Sequence, residues 1–179
     1  MSGILGCEVT ELLHEGTRSR VCRARRRSDG ALVVLKSPAT KAARADRLRA
    51  LHREWQVLQH LDGVEGVVRA VGFEREGDHC GLVLTDLGAT MLHARSVEHG
   101  RSLTETIAIA ISLVEVLDAV HRRGVVHRDL NPFNVLIGAD RRAHLIDFAS
   151  ASLLAKQLTS PASLRGFEGC LAYISPEQT

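Results

Sequence analysis

The sequence has no C-x-x-C pair: its four cysteines, Cys7, Cys22, Cys80 and Cys170, lie far apart. That spacing excludes a zinc knuckle and argues against a disulfide framework, so the expectation is reduced thiols, a cytoplasmic location and no structural zinc. Long apolar runs are also missing. The longest, from Ile107 to Val114, is followed by Glu115 and Asp118, far short of the roughly 20 apolar residues of a membrane span. Charge of one sign is lacking too: the net charge is +2, which offers no global attraction to nucleic acid or to a membrane surface. No internal repeat or low-complexity segment is visible. What remains is a chain of 179 residues, 45% of them apolar, enough to bury one core in a single domain of one or two lobes. The charge is uneven: residues 1–60 hold 12 Lys and Arg against 6 Asp and Glu, and the remainder holds 11 against 15. An anionic ligand would favour the first part.

The first part reads as strands. Val21–Arg25 and Ala31–Lys36 flank Asp29-Gly30, a good hairpin signal. A helix follows over Ala45–Leu61, where Leu48, Leu51, Trp55 and Leu58 recur at helical spacing. Two more strands are expected at Val67–Phe73 and Gly81–Leu84, ending at Asp86-Leu87-Gly88. Beyond this point Ser102-Leu103-Thr104-Glu105 is a capping box. Ile107, Ile111, Val114, Leu117 and His121 then keep helical spacing until Gly124. Two short apolar runs, Asn134–Ile137 and His144–Ile146, suggest a small β-ribbon. The fold class is therefore α+β, a mostly β front lobe joined at about Gly88 to a helical back lobe.

The most specific signal is His127-Arg128-Asp129-Leu130-Asn131-Pro132-Phe133-Asn134, followed by Asp147-Phe148-Ala149. Phosphoryl transfer needs a carboxylate to orient and deprotonate a hydroxyl, and oxygen ligands to hold magnesium against phosphates. Asp129 is the candidate for the first task; Asn134 and Asp147 are the candidates for the second.

With Ser175-Pro176-Glu177 added, this set resembles the eukaryotic-type protein kinase family. The resemblance implies a two-lobed fold, with residues 1–87 as a β-rich nucleotide-binding lobe carrying one helix and 88–179 as part of the helical lobe. It implies ATP and Mg2+ as cofactors and Ser/Thr hydroxyls of proteins as acceptors. Lys36, in Val33-Val34-Leu35-Lys36, is similar to the lysine that grips the inner phosphates, and Glu54 to the acid that holds it. Aligning Val21 with the family's terminal valine puts His14, Gly16 and Ser19 at the three glycine positions of the phosphate loop, so only Gly16 keeps the bare backbone that approaches phosphate closely. Val21, Val34 and Leu136 would sandwich the adenine, Leu84 would be the gatekeeper, and backbone groups of Thr85 and Leu87 would meet the base edge.

The departures bear on catalysis. Asn131, within the catalytic set, stands where Ser/Thr kinases usually have lysine, and Cys170 where they have threonine. Losing such a cation from the transition state is commonly worth about 3 kcal/mol, a factor of 100 or more in rate. Ala149 replaces the usual glycine after Asp147-Phe148 and restricts the backbone there. Arg128 resembles the arginine that receives an activating phosphate, and Ser150, Ser152, Thr159, Ser160 and Ser163 follow it in the segment that would carry one. Asn131-Pro132 and the stretch from Gly169 to Thr179 are similar to the front kinase domain of large bacterial sensor proteins, which continue into ATPase, GAF and histidine kinase regions. That likeness implies downstream domains as partners. The kinase-family resemblance implies that the later helices of the back lobe are missing after Glu177, leaving an exposed helix face and a marginally stable chain. Two other functions compete: a pseudokinase that senses nucleotide without transfer, and a small-molecule phosphotransferase of the aminoglycoside type, against which Phe148 and Ser175-Pro176-Glu177 argue.

Overall fold

Leu5 and Gly6, at φ +56° and +67°, reverse the chain between a two-residue strand, β1 (Gly3–Ile4), and the long β2 (Cys7–Glu15). In the computed structural model, residues 3–39, 44–77, 79–94, 102–154 and 171–173 are described. β3 (Ser19–Arg26) and β4 (Leu32–Pro38) form the expected hairpin, with Gly30 at φ +73°. α1 (Arg44–His60) follows, then β5 (Ala70–Glu76) and β6 (His79–Thr85). These six strands make one antiparallel sheet in the order β1-β2-β3-β4-β6-β5. Leu5, Cys7, Ala24, Val33, Leu35 and Val83 form a buried cluster on one face.

Asp29 shapes the hairpin electrostatically. It pairs with both guanidinium arms of Arg26 and accepts the Ala31 N–H at 3.1 Å, and these contacts, the Arg26 hydrogen bond foremost, lower its carboxyl to about 2. Because the folded value is depressed, this contribution is complete above the ordinary carboxylate range and is lost as pH falls toward 2. An NMR titration of the Asp29 side chain should give a midpoint of about 2. In Arg26→Ala the midpoint should rise toward ~4, and an unmoved midpoint would show that Arg26 does not hold it.

The second part begins with β7 (Thr90–Met91), followed by α2 (Leu103–Arg122), whose N-cap Ser102 accepts the Glu105 N–H. Then come β8 (Val125–Val126), β9 (Val135–Ile137), β10 (Ala143–Leu145) and β11 (Ser152–Leu153). β9 and β10 are the expected ribbon, with β7 added on the other side of β9, and β11 pairs with β8. A 3-10 turn spans Leu171–Tyr173. No helix among the described residues is long and apolar enough to cross a membrane.

The chain divides into two compact units, Met1–Asp62 with Val68–Leu87, and Gly63–Val67 with Gly88–Thr179. The strand expected at Val67–Phe73 begins only at Ala70, because Val67 instead pairs in parallel with Leu145 of the second unit. Gly66 O accepts the Leu145 N–H at 2.7 Å next to this bridge. Gly66 is a glycine for two reasons: its φ is +79°, and a Cβ there would lie 2.2 Å from Val116 Cγ2 on α2. Gly66→Ala should therefore lower unfolding free energy by about 2 kcal/mol. Adding Val116→Ala should restore only the steric part; denaturant unfolding of both variants checks this.

α2 is apolar around most of its circumference. It buries Ile109, Ser112, Val116 and Val120, whereas Leu103, Ile107, Ile111 and Val114 are exposed. The stripe legible in the sequence is thus the outward one.

Candidate functional site

The register of the sheet decides which side chains of the first unit share a face. Val21 lies opposite Lys36, Val34 opposite Leu84 and Lys36 opposite Leu82. Directly opposed residues project to the same side. Val21, Val34, Lys36 and Leu84 therefore stand together on the face opposite the Cys7 cluster, with His14 beside Val21. α1 packs on this side and brings Glu54 to Lys36: Lys36 Nζ donates to Oε1 at 3.0 Å and Oε2 at 2.8 Å. The pair is deeply buried, Lys36 at 6% and Glu54 at 1% exposure. Glu54 sits among Leu51, Val57 and Leu58 on the buried side of α1, so a carboxylate is held in an apolar stripe.

Gly16 turns the end of β2, its N–H donating to Ser19 O at 3.0 Å. A Cβ at Gly16 would first meet the ring of His14, 2.8 Å from its Nε2. At the far end of β6, Thr85 is pinned to Arg69, whose carbonyl accepts both its N–H and its Oγ1–H at 3.0 Å. The next residue, Asp86, accepts from Arg23 Nε at 2.6 Å, while Arg23 Nη1 pairs with Glu11. The Asp86 hydrogen bond pushes the Arg23 guanidinium further above its ordinary value. Sequence reading did not find this strap, because charge pairing between β2, β3 and the segment after β6 leaves no spacing signal.

In the second unit the loop after β8 folds around Asp129. Asn131 Nδ2 donates to Asp129 Oδ1 at 3.1 Å, and Asn134 Nδ2 donates to Asp129 Oδ2 at 3.0 Å and to its carbonyl at 2.8 Å. Asn131 Oδ1 accepts the Phe133 N–H at 2.9 Å. Each carboxylate oxygen thus receives one amide proton, and the two asparagines, each 7% exposed, hold the acid in one orientation.

His127, which sequence reading placed in the motif without a role, fastens this loop to Asp147. Its Nδ1 accepts the Asp129 N–H at 3.3 Å, so the ring proton sits on Nε2 and is donated to Ile146 O at 3.0 Å. Ile146 N–H in turn donates to Asn134 O at 3.0 Å. With both backbone groups of its neighbour gripped, Asp147 is held at φ +60°, and its Oδ1 accepts the Ala149 N–H at 3.3 Å. Phe148, 1% exposed, packs on the His127 ring with centroids 4.7 Å apart. Arg128 takes φ +65°. Leu136 points away from the buried pair Val135 and Ile137 and is half-buried.

Asn134 and Asp147 suit magnesium by donor type. The Asn134 amide nitrogen is committed to Asp129, which leaves its Oδ1 as a hard oxygen ligand. No group of three or more His, Cys, Asp or Glu able to hold a metal occurs among the described residues. A magnesium bound through one or two protein oxygens and substrate phosphates needs no such group. Cys170, Thr159, Ser160, Ser163 and Ser175-Pro176-Glu177 lie outside the described residues.

The family model described as the protein kinase domain matches residues 7–179. The chain belongs to the protein kinase domain family. Its β-rich first unit with one helix is the N-lobe architecture of that fold, as expected from the motifs. Among curated relatives, the chain is 30% identical over 177 residues to the serine/threonine-protein kinase TIO of Arabidopsis thaliana, covering 98% of this chain and 13% of the relative. It is 36% identical over 128 residues to the serine/threonine-protein kinase PEPKR2 of the same plant, covering 71% and 26%. Identity to the serine/threonine-protein kinase pkn2 of Myxococcus xanthus is 32% over 142 residues, covering 77% and 17%. This kinase domain therefore spans about a quarter or less of the length of these relatives.

Proposed function

We propose that this kinase domain binds ATP with Mg2+ and transfers the γ-phosphoryl group to Ser or Thr hydroxyls of a protein acceptor, with residues 1–87 as the nucleotide lobe and 88–179 contributing the catalytic loop. The observation that carries the reading is the Asp129 loop: an acid oriented by two amides and tied through His127 and Ile146 to the acid at 147. Asp129 orients the hydroxyl and takes its proton. Lys36, held by Glu54, engages the inner phosphates. Asn134 and Asp147 would hold magnesium, which when bound would offset charge on the phosphate oxygens. Gly16 covers the phosphates, Val21, Val34 and Leu136 enclose the adenine beside Leu84, and Thr85 and Leu87 read its edge. The names of these three relatives, each a serine/threonine-protein kinase, support the acceptor class.

We further place the domain in a signalling protein, as the input part of a bacterial sensor with downstream domains, a reading that rests on Asn131-Pro132 and the stretch from Gly169 to Thr179, and in the cytoplasm, a reading that rests on the scattered cysteines. A second reading, nucleotide sensing without transfer, is favoured by Asn131 itself. Its amide is spent within the loop on Asp129 and Phe133, so it brings no cation to a moving phosphate. Labelled phosphate transfer from ATP by the full-length protein, beside an Asp129→Ala control, separates the two. Transfer lost in the control supports catalysis; equal counts from both remove it, and retained ATP binding would then leave the sensing role.

A further inference from the structure

We infer that Arg23 is a positioning residue for purine recognition, acting through Asp86 on the backbone of residues 85–87. The inference rests on the nucleotide reading above, which assigns the base edge to backbone groups of Thr85 and Leu87. Arg23 stands on β3 opposite Glu11 of β2 and Val34 of β4, on the same face as Lys36. One arm of its fork bonds Asp86 at 2.6 Å and the other bonds Glu11. A lysine could not span both carboxylates with fixed geometry.

The Asp86 side chain is 8% exposed, against 30% for Arg23. The shielded end of the strap is thus the one at residues 85–87, where a charge-assisted bond is least weakened by solvent. Thr85 is separately locked to Arg69 O through its N–H and hydroxyl. Two anchors on consecutive residues fix the peptide between them and restrict the one that follows. Gly88, at φ +57°, then turns the chain away. Without Arg23 the Asp86 carboxylate loses this anchor, and the peptide that presents Leu87 N–H is free to tilt. The triphosphate, gripped elsewhere, would not sense that tilt; the base would.

The test measures binding of Mg-ATP and of Mg-tripolyphosphate, which has no base, to the full-length protein by calorimetry. Wild type is compared with Arg23→Met, which keeps the aliphatic stem, and with Asp86→Asn, which keeps the shape of the other partner. Both variants should bind ATP about tenfold more weakly, the loss expected for a hydrogen bond to a charged group. Tripolyphosphate affinity should remain within about twofold of wild type. Unchanged ATP binding in a folded variant overturns the inference, as does an equal loss for both ligands, which would mean general loosening of the sheet. Failure of wild type to bind ATP at all is a different result: it removes the nucleotide reading and this inference with it.

Discussion

Asp129→Asn should, with Asp129 as the base of the proposed function, reduce phosphoryl transfer by a factor of about 100 to 10,000, the range usually lost with a positioned general base. Two effects combine. The amide cannot take the hydroxyl proton, and it cannot be accommodated quietly. Asp129 accepts one proton on each carboxylate oxygen, from Asn131 and from Asn134. Whichever way an asparagine side chain is turned, its NH2 group faces one of those donors, so the loop loses an anchor as well as a base. Asn134, still bonded to the carbonyl of residue 129, would keep its register. ATP affinity should therefore change little while turnover collapses. Steady-state transfer measured beside nucleotide binding checks this, and a loss smaller than about tenfold would be too little for a positioned base.

Glu54→Ala should lower the unfolding free energy by about 3–5 kcal/mol, the penalty for removing one partner of a buried ion pair. Burial decides the size of the effect. With Lys36 at 6% and Glu54 at 1% exposure, water does not reach in to solvate the ammonium left behind. Lys36→Met should cost a similar amount for the mirror reason. Lys36→Met with Glu54→Leu should recover much of the loss, because two apolar side chains avoid desolvating charge. Denaturant unfolding of the three variants tests these expectations, and single variants within about 1 kcal/mol of wild type would show that the pair is not shielded as described. The recovered double variant should still bind ATP poorly, since in the proposed function Lys36 is the phosphate ligand. Stability and binding would then part company at this pair.

Much of the architecture was legible because local chemistry and tertiary context agree. Asp29-Gly30 announces its hairpin, and the stripe containing Leu51 and Leu58 announces α1. The capping box at Ser102 begins α2 where the structure begins it. β2 was not delimited: its register shifts between Val9 and Glu11 and again between Leu12 and His14 break the alternation that marks a strand. The buried side of α2 was hidden for a different reason. Ile107, Ile111 and Val114 have the same apolar character as Ile109, Val116 and Val120, and a helical period cannot say which face a neighbour covers.

For the site, residue type and spacing marked Asp129, Asn134 and Asp147, and the resemblance to the kinase family added Lys36 and Glu54. Three things were settled only by long-range contact. One is the burial of the Lys36–Glu54 pair, whose pairing the family resemblance already implied. Another is the double grip of His127 and Asn134 on Ile146, which holds Asp147. The last is the Arg23 strap to Asp86. A sequence carries the inventory of acids, amides and cations. Their distances and shielding from water arise only when strands pair in register and a helix lands on the sheet, so those belong to the tertiary structure alone.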